Sequence, residues 1–328
     1  SRMALLTGAY PVRLGWTQGV VGYLMKRGEG MSPEAFTMAE LFRDAGYRTG
    51  LVGKWHLGDD EPFRPHRQGF EETYYLNKSN NQTKEVWRGD EVVEKPFDNR
   101  RLTEQFTREA IAFIERHRES PFFLYLPFTA PHFPVQAHPD WKGKSSFGVY
   151  GDVVEEMDAR IGEILATLVR AGLSENTIVV FCSDNGPEPG TKQSKADPYR
   201  GRKWSALEGG TRVPCIVRWP GRVPAGKTVP DLVAAIDLLP TLATACGIDW
   251  EAASTGRPVI DGVDVLPTLR GVEGPHPREE LLYWHGRAGF QAIQVEDWKL
   301  FPDRGAVGLE GEGPALYHLP EDPGEERD

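Results

Sequence analysis

Wholly apolar runs that stop in Gly- and Pro-rich polar loops alternate here with amphipathic helical stretches, and no other feature constrains the fold as much. Residues 121–128 (PFFLYLPF) and 178–181 (IVVF) lack the polar alternate positions of a half-exposed strand, so each reads as a strand covered on both faces. Residues 47–53 and 215–219 read as further strands. Between these runs, residues 103–117 set Phe106, Ala110, Phe113 and Ile114 at helical spacing, and residues 153–171 form a second amphipathic pattern closed by Gly172. Ser32-Pro33-Glu34 predicts an earlier helix, with Ser as N-cap and Pro in the first turn, running to Gly46. Residues 231–246 predict another, despite Pro240.

Strands alternating with helices specify an α/β fold with a mostly parallel central sheet between helical layers. Beyond Gly247 the pattern changes to short strands at 281–284, 292–295, 298–301 and 315–319, separated by Gly/Pro turns, which predicts a small antiparallel sheet. The expected division is a catalytic α/β domain over 1–247 and a C-terminal subdomain over 248–328. A chain of 328 residues has the length for both.

The formal net charge of −10, with no block of Lys or Arg, argues against a nucleic-acid partner, so an anionic ligand requires a local cationic pocket. No apolar run approaches the length of a membrane span. Cys182, Cys215 and Cys246 fit no metal spacing, and two of them lie in apolar runs, which predicts inert buried thiols.

Four segments carry recognisable chemistry. In Gly53-Lys54-Trp55-His56, Lys54 and His56 stand two apart at a strand end and point to one side. A cation and an imidazole at the carboxyl end of a parallel strand suit an anion, since ligands of open α/β sheets gather there. In Ala130-Pro131-His132-Phe133-Pro134, the prolines restrict the backbone about an imidazole able to protonate a leaving oxygen. Ser183-Asp184-Asn185-Gly186 follows an apolar strand; it reads either as a hairpin turn or as two oxygen ligands for a hard divalent cation. Lys203 precedes Glu208-Gly209-Gly210-Thr211-Arg212-Val213-Pro214, whose glycines predict a tight turn.

In this order, and with Ser1-Arg2-Met3-Ala4-Leu5-Leu6-Thr7-Gly8 ahead of them, these segments resemble the ordered motifs of the type I sulfatases, in the arylsulfatase A-like branch of the alkaline phosphatase superfamily. The resemblance implies an alkaline-phosphatase-like αβα sandwich and hydrolysis of a sulfate monoester, aryl or carbohydrate, as a small molecule or glycan. It implies Ca²⁺, with Asp184 and Asn185 as half of its ligands, and a formylglycine nucleophile made from a Cys or Ser expected before Ser1, together with a pair of acidic ligands. It further implies that Lys54, His56, His132 and Lys203 act on the sulfate, that Arg2 pairs with a metal-ligand carboxylate or the nucleophile, and that Ser79 lines the substrate pocket. A periplasmic or secreted location goes with the family, and a homo-oligomer stays open. Two other readings remain at this stage: an anion-binding protein without catalysis, and a phosphate or phosphonate ester hydrolase.

Overall fold

The structure, a computed structural model, describes residues 1–16, 19–20, 29–285 and 288–327. The chain packs as two compact units: Val20–Thr177 with Gly247–Val259 forms one, and Ser1–Gly19, Ile178–Cys246 and Ile260–Asp328 form the other.

The unit holding residues 20–177 is built on a five-stranded mixed sheet. Its strands are β1 (Arg48–Lys54), β2 (Glu72–Leu76), β3 (Val86–Arg88), β4 (Glu91–Glu94) and β5 (Phe122–Tyr125), in the order β4-β3-β2-β1-β5. β1 runs parallel to both β2 and β5, while β3 and β4 add an antiparallel hairpin beyond β2. β1 is buried from Thr49 to Lys54, as befits a central strand covered on both faces.

The alternation of side chains along β5 fixes which helix covers which face. Phe122 meets Phe113 of helix Leu102–Arg116 edge-on, with ring centroids 5.9 Å apart. Its neighbour Phe123 stacks at 5.0 Å on Phe42 of helix Met38–Asp44, on the opposite face. A Cβ at Gly50 would stand 2.6 Å from the Phe113 ring, so the central strand carries glycine where that helix crosses. Helix Gly148–Arg170 packs against Leu102–Arg116. It begins earlier than its apolar periodicity predicts.

One helix start differs from expectation. Ser32-Pro33-Glu34 forms a turn, and Thr37 is the N-cap of Met38–Asp44. Thr37 and Glu40 make a reciprocal capping box, and Thr37 Oγ1 also donates to the Gln68 carbonyl (2.8 Å). That tertiary bond favours Thr37 over the Ser32 signal.

In the other unit, β6 (Val179–Cys182) pairs antiparallel with β7 (Cys215–Arg218). The predicted helix over 231–246 contracts to a 3-10 turn, Ala235–Asp237, followed by helix Leu238–Ala245, with Pro240 in the first turn where no N–H is needed. Asp237 is fully buried, and its carboxylate accepts from Arg278 Nε (2.6 Å), Arg278 NH2 (2.5 Å), Ala234 N and Val263 N. That set of donors makes it structural. Cys182 and Cys246 are half-buried, but Cys215 is exposed, contrary to the buried-thiol reading. Desolvation pushes the Cys182 thiol up to about 11.

The four short strands expected near the C-terminus form an antiparallel sheet: β8 (Glu280–His285), β9 (Gly289–Val295), β10 (Trp298–Phe301) and β11 (Ala315–His318), in the order β11-β10-β9-β8. Its inner face packs Tyr283, Ala292, Phe301, Ala315 and Tyr317 against Ala206 and Leu207. Lys299 lies within this core at 0% exposure. Its ammonium sits 2.8 Å from Glu208 Oε1, 3.1 Å from Glu325 Oε1 and 4.3 Å from the Tyr283 ring centroid. Glu325 Oε2 also accepts from the Glu208 backbone N–H (2.7 Å).

Burial pushes the Glu325 carboxyl up, with Lys299 pulling it back down. Removing the ammonium in Lys299→Met leaves two buried carboxylates without it, so a loss of about 3–5 kcal/mol at neutral pH is expected from urea unfolding. An acid whose folded pKa is raised loses stability as pH climbs from its unfolded to its folded value. The variant's deficit should therefore shrink as pH falls from neutral towards roughly 4.5, below which both states are protonated, and a deficit independent of pH would contradict the assignment.

Candidate active site

Three parallel strands end together in the unit of residues 20–177, and their loops carry one cluster. Gly53 closes β1 at φ 130°, and a Cβ there would stand 2.2 Å from the Pro127 carbonyl. Only glycine lets that carbonyl come close enough to accept from the Lys54 N–H (2.8 Å). Trp55 N and His56 N then donate to Leu76 and Asn77 carbonyls, so β1 stays tied to the end of β2 through the G-K-W-H segment. His56 holds φ 62°, a left-handed conformation uncommon for a residue with a Cβ. Such local strain concentrates at functional positions.

Lys54 is buried, and its Nζ donates to Ser79 Oγ at 3.1 Å. Ser79 Oγ in turn lies 3.3 Å from His132 Nδ1 and 3.4 Å from His132 Nε2. Lys54, Ser79 and His132 thus meet, although they come from three separate segments. Two residues that the sequence motifs did not single out join them. Asn80 Oδ1 lies 3.1 Å from His132 Nδ1, and Asn80 Nδ2 donates to Asn99 Oδ1 (2.7 Å). Asn99 Nδ2 donates to the Pro134 carbonyl (3.1 Å) and to Gln136 Oε1 (3.2 Å).

The other unit holds Arg2, Asp184, Asn185 and Lys203. Asp184 and Asn185 follow β6, but β6 and β7 are joined through residues 183–214, so Asp-Asn-Gly is no two-residue hairpin turn. Its shape is set by contact of backbone on backbone. A Cβ on Gly186 would lie 1.9 Å from the Gly209 carbonyl oxygen, one on Gly209 2.4 Å from that of Gly201, and one on Gly210 2.3 Å from that of Ser205. With three glycines, Gly186 N donates to Gly210 O (3.0 Å) and Lys203 N to Pro187 O (3.0 Å). The Lys203 loop is thereby bound to the Asp184-Asn185 loop.

Lys203 Nζ pairs with Glu188 at 2.8 Å, a partner that no motif indicated, and stands 5.3 Å from the ring centroid of Trp204, which holds φ 80°. Arg2, in helix Arg2–Thr7, places Nε 3.6 Å from Asp184 Oδ2. Asn185 Nδ2 donates to the Gly186 carbonyl, so Oδ1 is the atom this side chain could offer a cation. A carboxylate and an amide oxygen are the donors that Ca²⁺ prefers, yet two fall short of its usual set of about six to eight. Among the described residues no three His, Cys, Asp or Glu side chains gather as a metal cluster.

Residues 1–248 match the family model "Sulfatase". The chain is 33% identical to an N-acetylgalactosamine-6-sulfatase of Mus musculus, over 99% of this chain and 71% of that protein. It is 34% identical to the Canis lupus familiaris N-acetylgalactosamine-6-sulfatase over 87% of this chain, spanning only 59% of that protein's length. Among solved structures, the PsFucS1 sulfatase from Pseudoalteromonas sp. superposes with a TM-score of 0.89 at 27% identity, over 100% of this chain and 75% of that one.

The interlocked glycines give a direct test of the loop geometry. Gly186→Ala must drive the two loops apart and should cost about 2–4 kcal/mol in denaturant unfolding, while Gly190→Ala, with open space around it, should change little. Equal effects at the two positions would show that the backbone contact does not hold the loop.

Proposed function

The chain belongs to the sulfatase family, enzymes that hydrolyse sulfate esters, and from that premise we propose that it cleaves a sulfate monoester using a formylglycine nucleophile and Ca²⁺. The observation that carries this reading is the Lys54–Ser79–His132 cluster at the strand ends: a buried cation and an imidazole bridged by one hydroxyl. A buried ammonium is a fixed positive charge in a medium of low dielectric, so it acts strongly on a sulfuryl group whose oxygens gain charge during transfer. Ser79 accepts from Lys54 and so directs its ammonium. His56, on the same strand end, adds a second donor to the sulfate. His132 supplies the proton that the departing alcohol needs, a role suited to an imidazole near neutral pH.

Lys203 is included from its motif, as the resemblance implies, and the Glu188 pair keeps its ammonium ordered. Asp184 and Asn185 would hold Ca²⁺, and Arg2 balances the Asp184 carboxylate. When bound, the ion would supply counter-charge to an anionic ester, and formylglycine would supply a nucleophilic hydroxyl. The relatives act on the N-acetylgalactosamine 6-sulfate their name states, and a sulfated carbohydrate is accordingly the substrate class we assign.

Lys54→Ala and Lys203→Ala should each lower turnover of a generic aryl sulfate by about 100-fold or more, since each removes a charge aimed at the transferred group. Their unfolding transitions should stay close to that of the wild type. Turnover near wild type in both would overturn the assignment, and faster cleavage of the matching aryl phosphate would move the activity to phosphate esters.

A further inference from the structure

The polar chain that runs from Pro134 to His132 has a direction, and its direction selects one nitrogen of the imidazole. It starts at a group whose role is fixed: the Pro134 carbonyl can only accept. Asn99 must therefore turn its NH₂ towards that carbonyl, 3.1 Å away, and the same NH₂ meets Gln136 Oε1. This leaves Asn99 Oδ1 facing Asn80, so the Asn80 amide presents its NH₂ across 2.7 Å. Asn80 Oδ1 then faces His132 Nδ1 at 3.1 Å and can only accept from it. The Phe133 carbonyl, 2.7 Å from the same nitrogen, is a second obligate acceptor. Asn80 is 3% exposed, so water competes poorly for its amide.

We infer that Asn80 and Asn99 are positioning residues that hold the proton of His132 on Nδ1, so that Nε2 is the atom that gives and takes the catalytic proton. The inference rests on the proposed role of His132 as the acid for the leaving alcohol. Two acceptors on Nδ1 keep that nitrogen protonated in both charge states of the ring. The imidazolium then loses its proton from Nε2 to the departing oxygen, and the neutral ring returns as the Nδ1–H tautomer. Ser79 Oγ, nearly equidistant from both nitrogens, favours neither. Several charged groups on the neighbouring segments have partners of their own. Lys54 reaches Ser79, Lys78 is paired with Asp59 at 2.8 Å, Asp98 with Arg100 at 2.7 Å, and Arg101 with Glu104 at 3.3 Å.

The test uses the complete enzyme labelled with ¹⁵N-histidine, read by NMR, alongside kcat and KM for an aryl sulfate across pH. In the wild type the neutral His132 ring should carry its proton on Nδ1. Asn80→Ala should lower kcat by about 10- to 100-fold with KM nearly unchanged, because the acid is mispositioned while the sulfate contacts persist. Asn80→Asp keeps the shape and sets a carboxylate against Nδ1–H, which stabilises the imidazolium. The His132 pKa should rise by roughly one unit, and the limb of the rate profile lost to its deprotonation should move up by the same amount. Should His132 in the wild type instead be protonated on Nε2, or its pKa stay fixed in Asn80→Asp, the positioning role is overturned. A pKa that rises while the rate profile stays in place leaves the relay standing and overturns the acid role beneath it.

Discussion

Two stretches of backbone can hydrogen-bond across a loop only where no Cβ keeps them apart, and both clusters of functional side chains are built on that constraint. At the end of β1 the constraint falls on Gly53, which lets the Pro127 carbonyl reach the Lys54 amide. In the other unit it falls on Gly186, Gly209 and Gly210, which let the Asp184-Asn185 loop and the Lys203 loop share backbone bonds. Neither lysine is therefore placed by its own side chain. Each is carried by a backbone with no slack, and that suits a charge whose value depends on small displacements.

Polar side chains supply the second level of order. Lys54 is directed by Ser79, His132 by Asn80 and Asn99, Lys203 by Glu188, and Asp184 by Arg2. Each candidate group has a partner that constrains it, an opposite charge for Lys203 and Asp184 and a neutral group for Lys54 and His132. The amides facing the imidazole are uncharged polar groups.

Legibility in the sequence followed how local the signal was. The apolar strands at 122–125 and 179–182, the helix Leu102–Arg116 and the four C-terminal strands declared themselves through runs and periodicities within a few residues. β2 escaped notice because Glu72-Thr73-Tyr74-Tyr75-Leu76 mixes polar and aromatic residues without an apolar run. The Thr37-x-x-Glu40 capping box was present in the chain but competed with Ser32-Pro33-Glu34, and the bond to Gln68 that decides between them is tertiary. Of the candidate site, the residues inside compact motifs were visible, whereas Asn99 and Glu188 act through contacts that no spacing announces. Lys299 is the clearest inversion. In Trp298-Lys299-Leu300-Phe301, alternation would send the lysine to water and the tryptophan inward, yet Lys299 is buried and Trp298 is 48% exposed. Two carboxylates in the core reverse the usual preference.

That buried lysine also sets an order of events during synthesis. Its partner Glu208 lies 91 positions earlier, and Glu208 bonds to Glu325 across 117 positions. The loop that carries Lys203 runs directly into Glu208, so its anchor is complete only after β10 and residue 325 have left the ribosome. Until then Glu208 has no buried cation to meet. A nascent chain thus lacks that anchor for the interval in which residues 209–325 are still being made.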